Sequence, residues 1–145
     1  MDAAKTGALT AGKKIKGRKR HVVVDTMGNL LAVVVHAANI HDTKAGIFVA
    51  EAAFKIYPTI RGFNGDAGYK GSFELELWDR LKLGVDITER IDSGKWKVLP
   101  KRWIVERTFG WLNSYRGLSK DYEITKSSAE TMVKIAHFNT LLKRL

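Results

Sequence analysis

The sequence predicts one α/β domain built on a mixed sheet, and three observations support that prediction. A chain of 145 residues with 45% hydrophobic residues can bury one sizeable core but is too short for two ordinary domains. Two β-branched apolar runs, residues 21–25 and 30–36, stand on either side of a turn containing Gly and Asn. After them, helix-like and strand-like segments alternate, which is the pattern of a layered α/β fold.

The first half of the chain shows these elements in order. Residues 1–20 are small, polar and basic, which predicts an arm or a loop. The two apolar runs predict a hairpin, and the Ala-rich segment 44–57 predicts a helix that ends before Pro58. A short strand over 59–63 should lead into the glycine-rich turn 64–69, which would present Asp66 at a strand end. Apolar residues at 73, 77, 78 and 81 then keep helical spacing.

The second half begins with Gly84, which should end that helix and precede a strand over 85–88 packed beside the first sheet. Residues 90–100 predict a loop. A helix over 101–116 follows, with its apolar residues on one broad arc and Glu106 outside that arc. The last helix should start at Ser127, because Ser127 and Glu130 have the spacing of a capping box.

Charge and composition narrow the class of partner. The net charge is +10 and the isoelectric point is about 9.9, which favours a polyanion such as nucleic acid. No apolar run approaches the roughly 20 residues of a membrane-spanning helix. The sequence has no cysteine and no apolar signal region, so we expect a cytoplasmic protein without disulfides.

Three stretches carry a family resemblance: GKKIKGRKRHVVVDT at 12–26, GDAGYK at 65–70 and LPKRWIVERTFGW at 99–111. In this order and with this spacing they resemble the DDE-type transposases of the bacterial insertion-sequence-five group. The segments AANIHD at 37–42 and KDYE at 120–123 are also similar to family sequence, so the resemblance extends over nearly the whole chain from Gly12.

The resemblance implies an RNase H-like mixed sheet flanked by helices. It also implies three acidic residues that hold two divalent metal ions, Mg²⁺ or Mn²⁺, for DNA strand cleavage and strand transfer. Asp66 matches the second acidic residue and Glu106 the third. Magnesium prefers oxygen ligands, which carboxylates from separate elements supply.

The first catalytic Asp of the family has no clear counterpart here. Only Asp2 is placed to compete, in a chain that we expect to be shortened at its amino end. Its position fits either a reading frame that begins at this strand or a deletion that removed the strand altogether, so we expect a sheet that is incomplete at its first strand. The predicted division is a basic arm or truncated strand at 1–20 and the catalytic domain at 21–145. Leu99 and Asn113 depart from the Tyr and Lys of the family signature around the Glu.

Basic residues near these motifs are the candidates for binding DNA phosphates. They are Lys13, Lys14, Lys16, Arg18, Lys19, Arg20, Arg102 and Arg107. The run at 13–20 can equally be an ordinary solvated arm. Trp103 is a candidate for stacking on an unpaired base, although most aromatic residues here are more simply explained as core.

Some acidic residues have simpler explanations. An Asp in a glycine turn usually serves the turn, and a Glu on a polar helix face is usually solvated, so only the motif context singles out Asp66 and Glu106. Asp25 suits a turn entry, and His41 with Asp42 suits a helix cap better than a metal site.

These observations leave two related functions open. One is a transposase that acts on transposon ends and target DNA, as a homo-oligomer. The other is a non-catalytic DNA-binding or oligomerisation remnant of such an enzyme. A nucleic-acid-binding module unrelated to transposition leaves the contexts of Asp66 and Glu106 unexplained.

Overall fold

A five-stranded mixed sheet forms the centre of the computed structural model, which describes residues 4–9, 18–88, 102–120 and 122–145. The strands are β1 (Ala4–Leu9), β2 (Arg18–Val24), β3 (Leu30–Ala37), β4 (Gly62–Asp66) and β5 (Gly84–Thr88). Their order across the sheet is β3-β2-β1-β4-β5. Strands β1, β2 and β3 pair antiparallel, whereas β4 runs parallel to both β1 and β5. The predicted mixed sheet is therefore confirmed.

Four helices cover the two faces of the sheet: α1 (Asp42–Ile56), α2 (Ser72–Leu81), α3 (Arg102–Asn113) and α4 (Lys126–Leu142). Short 3-10 turns follow β4 at Ala67–Tyr69 and α3 at Arg116–Leu118. None of these helices, in the part of the chain described, is long and apolar enough to cross a membrane.

Side chains alternate along β2, so the sheet has a core on each face. Val23 belongs to a cluster with residues of α1 and α2, including Val49, Phe73 and Leu77. Val22 and Val24 belong to the opposite cluster, whose further members include Ile104, Val105, Phe109, Leu112 and Val133 from α3 and α4. The molecule is thus a helix–sheet–helix sandwich.

The predicted hairpin is present, and Asp25 organises its turn. One carboxylate oxygen of Asp25 accepts from the amides of Met27 and Asn29, both at 2.9 Å. The other oxygen accepts from the Asn29 side chain at 3.0 Å. Gly28 has a φ of +85°, a conformation that glycine adopts without steric cost. The structural role expected for Asp25 is confirmed.

The expectation of an arm or loop at the amino end is wrong for residues 4–9 and 18–20. Residues 4–9 form β1, the middle strand of the sheet, and Arg18–Arg20 begin β2. The first-strand position is occupied, because β1 lies between β2 and β4, which agrees with the alternative of a strand within 1–20 and not with loss of that strand. Few apolar residues signal β1 in the sequence, and it owes its strand conformation to backbone pairing on both sides. Positions 1–3 and 10–17 lie outside the described residues.

One strand is shifted from its predicted place, because the strand expected at 59–63 lies at Gly62–Asp66. The strand expected at 85–88 is present as β5, an edge strand of the same sheet beside β4. The loop expected at 90–100 lies outside the described residues.

The predicted capping box at Ser127 and Glu130 is wrong. Helix α4 begins at Lys126, and its N-cap is Thr125, whose hydroxyl accepts from the Ser128 amide at 3.0 Å. Glu130 instead accepts from the backbone amide of Val35 in β3 at 2.9 Å, and His137 accepts from the Leu30 amide at 3.1 Å. The Glu130 carboxylate thus bonds to the edge strand β3 and does not form the cap of α4 that the sequence pattern predicts.

Candidate active site

Asp66 is the last residue of β4, where the parallel strand ends. Its backbone is extended, and its Oδ1 accepts from the Gly68 amide at 3.0 Å, which caps the 3-10 turn Ala67–Tyr69. The side chain is partly exposed. The predicted turn that presents Asp66 at a strand end is confirmed.

The sheet topology decides which residues share this edge with Asp66. Strand β1 is parallel to β4 and antiparallel to β2, so the amino end of β2, with Arg18 and Lys19, lies at the edge where β4 ends. The β2–β3 turn around Gly28 lies at the opposite end of the sheet. Helix α3 packs on β1, and Glu106 is exposed on that helix. Asp66 and Glu106 therefore belong to elements that both adjoin β1.

A third carboxylate is not supplied by the described part of β1. Lys5 pairs with Asn64, two residues before Asp66, so the β1 positions alongside Asp66 belong to the sequence Thr-Gly-Ala. Within the described ranges, no three His, Asp or Glu side chains are grouped so that they could hold a metal ion. Asp2 lies outside these ranges. Magnesium is commonly bound by one or two carboxylates with waters and phosphates, so Asp66 and Glu106 fit one such ion in donor type.

A buried polar cluster lies behind the Asp66 turn, on the face covered by α1. The Tyr69 hydroxyl is 2.6 Å from Nδ1 of His21, and the rings of His21 and His36 stack with centroids 4.5 Å apart. Asp42, at the start of α1, forms an ion pair with Lys19 at 3.0 Å. The Asp42 carboxylate is also 3.7 Å from Nε2 of His21.

Burial sets the protonation states in this cluster. It lowers the pKa of His21 from 6.5 to about 4, with a further lowering from His36 that outweighs the opposite effect of Asp42. Burial raises the pKa of Tyr69 well above its usual value, and the charges of Asp66 and Asp42 raise it further. At neutral pH His21 is therefore a neutral imidazole and Tyr69 keeps its proton.

The two arginines of β2 that were predicted to bind DNA donate to backbone carbonyls of this chain. Arg18 donates to the Glu123 carbonyl, and Arg20 donates to the Leu118 carbonyl at 3.0 Å. Both contacts tie β2 to the segment between α3 and α4. Lys19 points to the other face, where it pairs with Asp42.

Arg107 lies far from the end of the sheet that carries Asp66, although it follows Glu106 in the sequence. Its guanidinium is 4.7 Å from the ring centres of both Trp103 and Trp111, and it donates to the Met27 carbonyl at 2.8 Å. Met27 belongs to the β2–β3 turn, at the opposite end of the sheet from Asp66. Arg102 begins α3, and its side chain is outside the description, as are Lys13, Lys14 and Lys16.

Sequence reasoning missed the cluster of His21, His36 and Tyr69. A signal was available, since His21 directly precedes a Val-Val-Val run and His36 directly follows one, positions in which a polar ring must be buried. The His41 cap is confirmed, because its side chain accepts from the Thr43 amide. Asp42 also contacts Lys19 and His21, which the capping interpretation did not include.

Comparison with known proteins identifies the family. Residues 2–137 match the sequence model of the family described as Transposase DDE domain. Over 131 residues the chain is 32% identical to a Burkholderia cepacia protein named "Putative transposase for insertion sequence element IS402", covering 82% of this chain and 60% of that protein. The chain belongs to the DDE transposase family. It spans about three fifths of the length of this relative, and membership of the insertion-sequence-five group stays a prediction.

Solved structures show the same fold. The HTLV-2 integrase catalytic core domain in complex with magnesium (dimeric form) matches with a TM-score of 0.60 at 15% identity, covering 94% of this chain and 83% of that chain. A chain of the simian T-cell lymphotropic virus intasome in complex with PP2A regulatory subunit B56 gamma matches with a TM-score of 0.61 at 17% identity, covering 94% and 47%. The predicted RNase H-like fold of this DDE transposase family member is confirmed.

Proposed function

We propose that this chain is the catalytic domain of a DNA transposase that cleaves and transfers strands at the ends of an insertion sequence. The observation that carries the proposal is the place of Asp66 at the carboxyl end of β4, beside the central strand on which α3 packs. Glu106 on α3 supplies the second carboxylate. Transposon ends and target DNA are the proposed substrates, and a homo-oligomer is the proposed working form.

In this proposal Asp66 and Glu106 hold a divalent ion, Mg²⁺ or Mn²⁺. Such an ion, when bound, favours attack by water on a phosphodiester and stabilises the leaving oxygen, and a second ion is the two-metal form of this chemistry. The net charge of +10 supports attraction of DNA to the domain. Arg18 and Lys19, from the predicted set, lie at the same end of the sheet as Asp66 and contact Glu123 and Asp42 respectively. Arg107 is engaged at the opposite end.

A nicking assay tests the proposal. Purified chain is incubated with supercoiled plasmid and Mn²⁺, and the rate of nicked-circle formation is measured. We expect Asp66→Asn and Glu106→Gln to lower that rate at least a hundredfold, and EDTA to abolish nicking. Asp79→Asn and Glu74→Gln, which neutralise exposed carboxylates on α2, are the matched controls and should nick like the unchanged chain. Equal nicking by all four variants would refute the assignment of Asp66 and Glu106.

The second candidate is a non-catalytic DNA-binding or oligomerisation remnant. The observation that favours it is the sequence of β1, Ala-Lys-Thr-Gly-Ala-Leu, which brings no carboxylate to the strand beside Asp66. In this candidate the third ligand is missing, so a second ion would be under-coordinated and turnover should collapse. Salt-sensitive DNA binding by the unchanged chain, together with no metal-dependent nicking, would favour this candidate.

A further inference from the structure

The buried pair of Tyr69 and His21 lies directly behind the turn that carries Asp66. Tyr69 ends the 3-10 turn that begins immediately after Asp66, and its hydroxyl is 2.6 Å from Nδ1 of His21. Both side chains are completely buried. We propose that Tyr69 and His21 are positioning residues that hold the Asp66 carboxylate in one direction. This role rests on the proposed function, in which Asp66 binds a metal ion.

The Tyr69 ring has little room to move. It packs on Gly46 of α1 so closely that a Cβ at that glycine would be 2.7 Å and 2.9 Å from two ring atoms. On another side the ring contacts Phe73, with ring centres 5.3 Å apart. Packing therefore fixes the plane of the ring, and the hydrogen bond to His21 fixes its tip.

The hydrogen bond has a definite direction. Tyr69 keeps its proton because burial raises its pKa, so its hydroxyl donates and Nδ1 of His21 accepts. The neutral His21 ring then carries its hydrogen on Nε2, which faces Asp42 at 3.7 Å. Lys19 pairs with the same Oδ1 atom of Asp42 at 3.0 Å. The Tyr69–His21 hydrogen bond joins the Asp66 turn to β2, and the Lys19–Asp42 ion pair joins β2 to α1.

The same turn controls the Asp66 carboxylate. Oδ1 of Asp66 accepts from the Gly68 amide at 3.0 Å, and Gly68 precedes Tyr69. If the Tyr69 anchor is released, the Gly68 amide moves and the carboxylate gains rotational freedom. Removal of residues that orient a metal ligand commonly lowers the affinity for the metal by roughly 10- to 100-fold.

Amide hydrogen exchange by NMR tests the proposal without a metal. Tyr69→Phe removes the hydroxyl and keeps the ring that fills the space beside Gly46. We expect the Gly68 amide to exchange at least tenfold faster in this variant. The matched control is Tyr115→Phe, which removes a phenolic hydroxyl 3.1 Å from the Thr140 hydroxyl on the other side of the sheet. Exchange of the Val23 amide reports global stability in both variants.

A second pair of variants separates positioning from general stability. In His21→Asn the amide oxygen takes the place of Nδ1 and can still accept from Tyr69, whereas His21→Leu offers no acceptor. We expect Gly68 protection to be retained in His21→Asn and lost in His21→Leu. Gly68 protection in Tyr69→Phe and His21→Leu equal to that of the unchanged chain would overturn the proposal.

Mn²⁺ titration of the full chain then connects the two proposals. We expect the dissociation constant for Mn²⁺ to rise about tenfold in Tyr69→Phe and to stay unchanged in Tyr115→Phe. A dissociation constant that is equal in Tyr69→Phe and the unchanged chain would overturn the positioning role. Failure of the unchanged chain to bind Mn²⁺ would instead count against the proposed function, and the Gly68 exchange rates would still decide the positioning of Asp66.

Discussion

Acidification should destabilise the folded chain through His21. Its pKa is lowered from 6.5 to about 4 by burial first and by His36 second. Between these two values the unfolded chain binds a proton at this ring and the folded chain does not. The stabilisation is therefore complete above pH 6.5 and is lost as the pH falls toward 4. Linkage between the two pKa values gives a loss of about 3 kcal/mol in the free energy of unfolding by pH 4.

Urea unfolding at several pH values between 7.5 and 4, followed by tryptophan fluorescence, measures this loss. The comparison is with His21→Asn, which keeps an acceptor for Tyr69 but does not titrate in this range. Burial also lowers the pKa of His36 and of His137, and both residues remain in the variant. The difference between the two pH profiles therefore isolates His21. Parallel profiles, with no extra loss of about 3 kcal/mol in the unchanged chain, would refute the assignment of a buried neutral His21.

Four further substitutions test the packing of Tyr69, the β2–β3 turn and the cap of α4, each by the free energy of unfolding in urea. Gly46→Ala should cost about 1–3 kcal/mol, because the new Cβ would meet the Tyr69 ring at 2.7 Å, and an unchanged stability would mean that the ring is not fixed there. Gly28→Ala should cost about 1–3 kcal/mol because of the positive φ, and a neutral result would contradict that turn geometry. Thr125→Ala should cost about 1 kcal/mol and Ser127→Ala close to nothing, whereas the reverse order would restore the capping box.

The sequence predicts the elements whose signal is local. The Val-rich runs on either side of Gly28 lead directly to the β2–β3 hairpin, because β-branched residues and turn chemistry act within a few positions. The apolar residues at helical spacing give α2, α3 and α4 within a few residues of their ends. The placement of β4 three residues late reflects the same limit, since its boundary is set by pairing with β1 and β5.

Strand β1 shows what local reasoning cannot predict. Ala-Lys-Thr-Gly-Ala-Leu has neither alternation nor a run of β-branched residues, and only its two neighbours make it a strand. Glu130 is a similar case, because its sequence spacing fits a cap while its carboxylate reaches a strand 95 positions away in the chain. Contacts with distant parts of the chain determine the conformation of β1 and the partner of Glu130.

The candidate site likewise contains parts that the sequence predicts and parts that depend on long-range contacts. Motif resemblance singled out Asp66, and the turn it predicts is present. The same resemblance gave Arg107 a place beside the site, but one residue along a helix is a rotation of about 100°, which is enough to direct Arg107 toward Met27 instead. His21 and Tyr69 lie 48 positions apart, and their contact follows only from the assembled sheet.

The contacts of α4 with β3 have a consequence for association between molecules. An outermost strand offers unpaired amides on which a foreign chain can extend the sheet into an aggregate. Here Glu130 and His137 already occupy the outward amides of Val35 and Leu30. An intruding strand would have to displace both side chains, so the chain is protected on this flank against uncontrolled polymerisation without a charged residue in the strand itself.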